Sequence, residues 1–340
     1  MRRVISMAVL LAGIASAPVL LAQEYRVLKT EKIGGEGGWD YLTVDAAARR
    51  LYLSRGTRAV VLDADTLKPI GEIPDTPGIH GVAVAADLGK GFTSNGRAGN
   101  STIFDLKTLK PLGQVKTGDN PDAIFYDKVT QRIFTFNGRS SDATVIDAKA
   151  GTVVGTIPLG GKPEAAVTDG KGRIFVNVED KAEVVAFDAK DLSVKAHWSL
   201  APCEEPTGLA IDVANKRLFA ACHNKLMTIM DSETGKVVAT QPIGPGTDGA
   251  AFDPDRKLAF TSNGGDGTLT VVRELSADKF EVAQNVPTMR GARTIAFDPK
   301  THNLFVVTAE FGPTPAATPE QPRPRPAMVP DSFTVLVIGR

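Results

Sequence analysis

The chain is poor in several residues that would make a function easy to read. It holds two cysteines, four histidines and two tryptophans in 340 residues. Two cysteines cannot build a cysteine-rich metal site, and with no Cys-x-x-Cys-His run there is no attachment point for a covalent haem. Lys plus Arg total 39 and Asp plus Glu total 39, so the formal charge is zero. With no basic run and only 6% aromatic residues, the chain lacks both the electrostatic footprint and the stacking surface of a nucleic-acid binder. Gly-x-Ser-x-Gly, His-Glu-x-x-His and phosphate-loop motifs are all missing, which removes the common hydrolase, zincin and nucleotide readings. Helix-period patterns are weak throughout, which points away from α-rich architectures.

Only one long apolar run exists. Arg2 and Arg3 precede the uncharged stretch from Val4 to Leu21, which ends at Leu21-Ala22-Gln23 with a small residue at a cleavage position. This reads as a secretory signal peptide over residues 1–22, with a periplasmic or secreted mature protein and no stable membrane insertion after its removal. An uncleaved anchor is the alternative, since the stretch approaches the ~18–20 residues that span a bilayer. No cysteine follows the run, so a lipidated terminus is not expected.

What the chain has in abundance is a repeat. Asp45, Asp127, Asp169, Asp212, Asp253 and Asp298 each end a short apolar run, and Ala85 fills the same slot. Successive spacings are 40, 42, 42, 43, 41 and 45 residues. A second series, Asp63, Asp105, Asp147, Asp188 and Asp231, is spaced by 42, 42, 41 and 43. Two markers with one period predict a propeller. Each repeat divides into four strands of alternating apolar and polar residues, as in "AIFYD", "RIFTFN", "ATVID" and "TVVGTIPL". One such sheet cannot cover both faces and must stack on its neighbours. Seven repeats are counted. The last stops at its third strand, "FTVLVIG", and "YRVLKTEKI" (Tyr25 to Ile33) is left over as the donor of the fourth. The expected fold is therefore all-β: a seven-bladed β-propeller over residues 23–340 whose N-terminal strand closes the last blade and removes an open edge. Small residues in the first strand of each repeat, such as Gly81, Ala123, Ala165, Gly208 and Gly249, suit strands crowded around a narrow axis.

The runs "FTSN" (Phe92–Asn95), "FTFN" (Phe134–Asn137) and "FTSN" (Phe260–Asn263), with the hairpin "ATVIDAKAGTVVGTIPLGGKP" (Ala143–Pro163), resemble the YVTN-repeat propellers. The resemblance covers essentially residues 24–340 and implies a YncE-like, exported, seven-bladed protein. It implies little chemistry, because fold does not dictate function.

The position five residues before each marker predicts a ring at one mouth of the axial channel, just before the first strand of each blade. Its members are Asp40, His80, Asp122, Glu164, Thr207, Asp248 and Arg293. Converging carboxylates repel, so some of them should gain protons or hold a cation; the plain alternative is polar residues that only solvate a wet channel mouth. Asp122, Glu164, Asp248 and His80 are the candidate ligands of a divalent metal, and a cationic organic molecule is the other occupant. The loops between second and third strands add Arg55, Asn95, Arg97, Asn137, Arg139, Glu179, His223, Asn224, Asn263 and Glu310 to that face. Of these, Asn137, His223 and Glu310 join the candidate ligand-binding set, although Asn-Gly pairs also serve as plain turns. The marker aspartates belong to turns, where they bond backbone N–H groups. His197 and His302 fall on an outer strand and the opposite face.

Cys203 and Cys222 fall at the same end of antiparallel strands of the fifth repeat, and a disulfide is expected in an exported protein. Closing a loop of that size stabilises by roughly 3 kcal/mol in the chain-entropy model. A thiolate metal site with His223, or two free thiols, are the alternatives. The seventh repeat carries a proline-rich insertion, residues 311–332, which favours extended polyproline II. It is expected to project over the ring as a lid or docking arm, with Arg323 and Arg325 reaching acids, and a disordered surface insertion is the alternative.

Two functions from different classes fit. One is a monomeric, non-catalytic cell-envelope protein that binds a small molecule, a metal ion or an envelope protein through the channel mouth. The other is a metal-dependent hydrolase or lyase, lactonase-like, with the same acids as ligands and His80 or His223 as base. A redox accessory is disfavoured. "DSETGKVVA" (Asp231–Ala239) lacks the tryptophan of the quinoprotein docking repeat, so a bound quinone such as PQQ is not expected.

Overall fold

The computed structural model describes residues 24–316, 318, 324 and 326–340. Residues 1–22, expected from sequence to be a leader, lie outside the described residues, as do Arg323 and Arg325.

Twenty-eight strands form seven four-stranded antiparallel sheets. Within a blade the strands are named A to D from the axis outward. In blade 3 they are Pro121–Asp127, Arg132–Asn137, Asp142–Asp147 and Thr152–Pro158. Strands B and C are buried on both faces, as in Arg217–Cys222 of blade 5, and so read as continuous apolar runs. The outer D strands alternate exposed and half-buried positions, as in Val194–Ser199 of blade 4.

The last blade is closed as expected. Arg26–Lys32 pairs antiparallel with Thr334–Gly339, with Arg26 opposite Gly339 and Lys32 opposite Thr334. The result is a ring with no open edge at the seam.

Among the described residues there are seven apolar clusters, and each straddles one blade–blade interface. Phe134 and Val145 of blade 3 meet Ile174 and Phe187 of blade 4. Leu51 and Leu53 of blade 1 meet Phe305 and Val335 of blade 7, so the seam is packed like the other interfaces. No single blade has a core of its own. The core is the set of interfaces, which is why the sequence must repeat.

The inner strands crowd as their small residues require. A Cβ on Gly208 would sit 2.5 Å from the backbone nitrogen of Ala250 in the next blade. Only glycine allows the two A strands to approach that closely.

Candidate functional site

The marker aspartates take the role their positions imply. Asp45 accepts the N–H groups of Ala47 and Ala48, and Asp298 accepts that of Lys300. They close A–B turns on one face of the disc. The ring residues stand at the other end of the same strands.

One detail differs from the expectation. His80, Asp122, Glu164, Thr207 and Asp248 do not precede strand A but are its second residue, and only Asp40 and Arg293 lie ahead of theirs. Each of those five strands has a register break at this point, for example between Pro121 and Ile124 or between Thr247 and Gly249. A bulge kinks the strand and re-aims a side chain. Here it frees backbone carbonyls, which the preceding blade then holds. Ser94 donates to the Asp122 carbonyl and Asn177 to that of Thr207 at 3.1 Å; Ser262 holds the carbonyl of Arg293, ahead of its unbulged strand, in the same way at 2.5 Å. The ring is thus fixed by strand B of the neighbouring blade.

Six of the seven ring residues line one open cavity of about 770 Å³, together with Trp39, Tyr41, Lys162, Glu179, His223, Thr247, Phe311 and Pro326. The seventh, His80, lines an adjoining cavity of about 520 Å³ that shares Gly38, Trp39, Asp40 and Arg293 with the first. Tyr41 also lines the narrower channel of about 170 Å³ beneath, between the A strands.

Electrostatics distinguish the acids. Burial raises the proton affinity of Asp122, and the nearby Asp40 charge adds to it; His80 opposes both. Burial, then the Asp122 charge, raises that of Glu164 against the pull of Lys162. Asp248 is pushed up to about 6 by burial, although Arg293 lies 2.7 Å away. Burial alone would lower His80, but its hydrogen bond to Asp40 at 2.6 Å and the Asp122 charge at 3.4 Å outweigh that and raise it. Tyr41 is raised by burial and by Glu164, and its hydroxyl stays a donor to Glu164 at 3.3 Å. Lys162 bridges Glu164, at 2.7 Å, and Glu179. Thr247 is 1% exposed and its hydroxyl has no partner among the described residues, an uncommon condition for a buried polar group. Three donor atoms, one each from Asp40, His80 and Asp122, lie within 4.8 Å of one another, a spacing that suits a small cation.

Other expected residues fare differently. His223 lines the large cavity and holds Glu205 at 2.9 Å. Asn137 is fully buried and does not line it. Its amide donates to Asp142 at 2.6 Å and Thr144 at 2.9 Å and accepts from Thr135 at 3.1 Å. Asn95 and Asn263 repeat this with Thr102 and Thr270, so the shared Thr-x-Asn is a brace for the B–C hairpin. Arg55 is buried, donates to the carbonyls of Gly34, Gly35 and Gly37, and stacks over Phe333 at 3.8 Å. It clamps the crossing from the closing strand to blade 1. Glu310 is exposed and outside the cavity lining; its backbone pairs with Ser332 and Val329.

The ends of the proline-rich insertion meet at the cavity rim. Phe311 bridges to Met328, Gly312 donates to the Ala327 carbonyl, and Phe311 packs on Trp39 with ring centroids 5.9 Å apart. Trp39, Tyr41, Lys162, Thr247 and Phe311 were not singled out by sequence as site residues. Adjacency was the available signal: Trp39 and Tyr41 flank Asp40, Lys162 stands two residues before Glu164, and Thr247 directly precedes Asp248.

Cys203 and Cys222 form a disulfide with Cα atoms 5.5 Å apart. That excludes both the thiolate metal site and free thiols.

The class is therefore a seven-bladed β-propeller with an acid-lined channel mouth. No protein-family model matches the chain, and no curated protein sequence matches it. Solved structures do. Hydrazine synthase of Kuenenia stuttgartiensis matches with a TM-score of 0.71 at 17% identity, over 80% of this chain and 92% of that one. The WD40 repeats of RRP9 match with a TM-score of 0.75 at 10% identity, over 93% and 97%. A chain of the mitotic checkpoint complex matches with a TM-score of 0.74 at 14% identity, over 100% and 99%. Likeness at these identities concerns the fold alone.

Proposed function

We propose that this protein is a non-catalytic binding protein of the cell envelope, of the YVTN-repeat type, that holds a cationic ligand in the acid-lined channel mouth. The observation that carries the reading is the set Asp122, Glu164 and Asp248, three carboxylates that face one open cavity and are all held above their ordinary proton affinity. Protons taken up there stand in for a missing positive charge. Trp39 and Phe311 add aromatic wall, and a cavity of about 770 Å³ has room for a small organic cation. The disulfide supports an oxidising compartment and hence the leader reading of residues 1–22. The fold is one widely used for binding, and the protein is proposed to act as a monomer.

A divalent metal is the second reading, and the spacing of Asp40, His80 and Asp122 favours it. It would open a metal-assisted hydrolase, lactonase-like, as the catalytic alternative. Calorimetric titration with butylammonium, Ca²⁺ and Zn²⁺ at pH 5 and pH 8 separates the two. Butylammonium is expected to bind more tightly at pH 8 and to lose binding in Asp122→Asn/Glu164→Gln. Binding of neither amine nor metal at pH 8 sinks the cation reading. A stoichiometric metal, lost in His80→Ala, together with lactone turnover, would replace the binding protein by the enzyme.

A further inference from the structure

The cavity that adjoins the acidic one has the opposite character. We propose that Arg97 and Arg139 form an oxyanion subsite there, so that the mouth accepts a small molecule bearing a carboxylate or phosphate. Its position beside the carboxylates extends this to a ligand with an anionic and a cationic end, a step that rests on the cation reading above.

The argument begins in sequence. Asn95-Gly96-Arg97 and Asn137-Gly138-Arg139 occupy the same place after strand B in blades 2 and 3. The same turn recurs in blade 6 as Asn263-Gly264-Gly265. Its asparagine makes the same braces to threonine in all three blades. The turn therefore forms without arginine, and the two arginines are not explained by it.

Geometry brings the two turns together. Arg97 and Arg139 both line the cavity of about 520 Å³. Asn120 lies between them: a Cβ on Gly96 would be 2.9 Å from its Oδ1, and one on Gly138 would be 3.3 Å from its Nδ2. Gly78, at φ +71°, packs so closely under Arg97 that a Cβ would sit 2.6 Å from the Arg97 Cβ. The base of that side chain is thereby fixed.

Most cations near this mouth are engaged. Arg293 pairs with Asp40 and Asp248, and Lys162 with Glu164 and Glu179. Neither Arg97 nor Arg139 has a carboxylate within 4.0 Å among the described residues, and the Asn120 amide makes no side-chain hydrogen bond there. Both arginines are exposed and water satisfies them, so no cost is stored there; what they offer is two guanidiniums and an amide, none paired with a carboxylate, on the wall of one cavity. Guanidinium forks match carboxylate and phosphate oxygens in bidentate fashion. His80 completes the set. Its Nδ1 is taken by Asp40, while Nε2 lies toward Gly96 on the arginine side. Asp40, Trp39 and Arg293 form the wall common to both cavities, so one extended molecule can reach both.

Calorimetry on the full mature protein with inorganic phosphate, butyrate, butylammonium and 6-aminohexanoate provides the test. Phosphate or butyrate is expected to bind the wild type, the tighter of the two naming the source of the oxyanion. Arg97→Gln/Arg139→Gln is expected to weaken that binding about tenfold or more, as loss of charge-assisted hydrogen bonds does, with butylammonium unaffected. Arg97→Lys, which keeps the charge but loses the fork, should fall between. 6-Aminohexanoate should bind more tightly than either butyrate or butylammonium. The subsite is overturned if neither anion binds the wild type, or if the double variant binds them unchanged. Anion binding without butylammonium binding would uphold the subsite and refute its extension to a ligand with a cationic end; the reverse pattern would refute only the subsite.

Discussion

The two ends of the A strands carry the same kind of side chain and treat it in opposite ways. At the turn end, Asp169 and Asp298 are buried, which alone would raise them. Hydrogen bonds from backbone N–H groups and from Arg173 or from Thr301 and Arg49 outweigh burial and hold both below the usual carboxylate range. At the mouth end, Asp122 and Glu164 are buried and Asp248 is half-buried, yet all three are held above that range. Burial acts at both ends; what differs is that the turn end supplies backbone N–H donors, while the mouth end crowds its acids with one another's negative charge. A bonded carboxylate stabilises a turn. An under-bonded one stores a cost that only a proton or a cation relieves, and that is the signature of a place where something binds. Position in the repeat decides which: the A–B turn offers backbone N–H groups, whereas the bulged end gives its carbonyls to the neighbouring blade and no backbone N–H bonds its acids among the described residues.

The comparison breaks most visibly at Asp298. Its carboxylate accepts from Arg49 at 2.8 Å, Thr301 at 2.7 Å and the Lys300 N–H at 3.0 Å, and it is fully buried. Asp298→Ala leaves a largely buried guanidinium short of one partner, and should cost about 3 kcal/mol in urea unfolding. A cost under about 1 kcal/mol would mean that the turn acids are ornamental. Asn137→Ala comes next. Three hydrogen bonds are lost, two of them buried, for about 2 kcal/mol, with cation and phosphate binding unchanged. A loss of ligand affinity at constant stability would restore Asn137 to the site.

Asp248→Asn tests the mouth end through pH. Its pKa is raised in the folded protein to about 6, from an ordinary 3.8. Folding therefore takes up a proton between those values. Stability falls as pH rises through that window and stays lower above it. The asparagine variant should be more stable than wild type at pH 8 by roughly 1–2 kcal/mol, after discounting for exposure, and no more stable at pH 3.5. A difference that is flat from pH 3.5 to 8 would show that Asp248 carries no raised affinity. Asp298 should give the opposite slope, because a lowered pKa contributes stability above the ordinary value that is lost as pH falls through the folded one.

Much of this was legible in the sequence because turn chemistry repeats. Asp45 to Asp298 recur near every 42 residues because six of the seven A–B turns use the same acceptor, Ala85 taking its place in blade 2, and that period located the strands, the closing pair and, by counting back five, the ring. The bulge was not legible. It is a register break between strands A and B of one sheet, and no local motif marks it. Nor was the brace of Asn137 on Thr144. The seven-residue spacing is visible in all three FT-x-N repeats, but a polar pair across a hairpin does not announce which face it occupies. Lys162 and Trp39 escaped for another reason: each is unique to its blade, and period-based reading finds what repeats.

Glu310 offers the smallest effect and a clean control. It sits on the mouth face by loop position, as the ring acids do, but its side chain is exposed, forms no ion pair among the described residues and lies outside the cavity lining. Water already satisfies it, so no stored cost exists for a ligand to relieve. Glu310→Ala should change stability by less than about 0.5 kcal/mol at any pH and leave butylammonium affinity as in wild type. If it instead weakened cation binding as Asp122→Asn does, proximity of charge to the mouth would be enough, and the distinction between bonded and under-bonded carboxylates would lose its force.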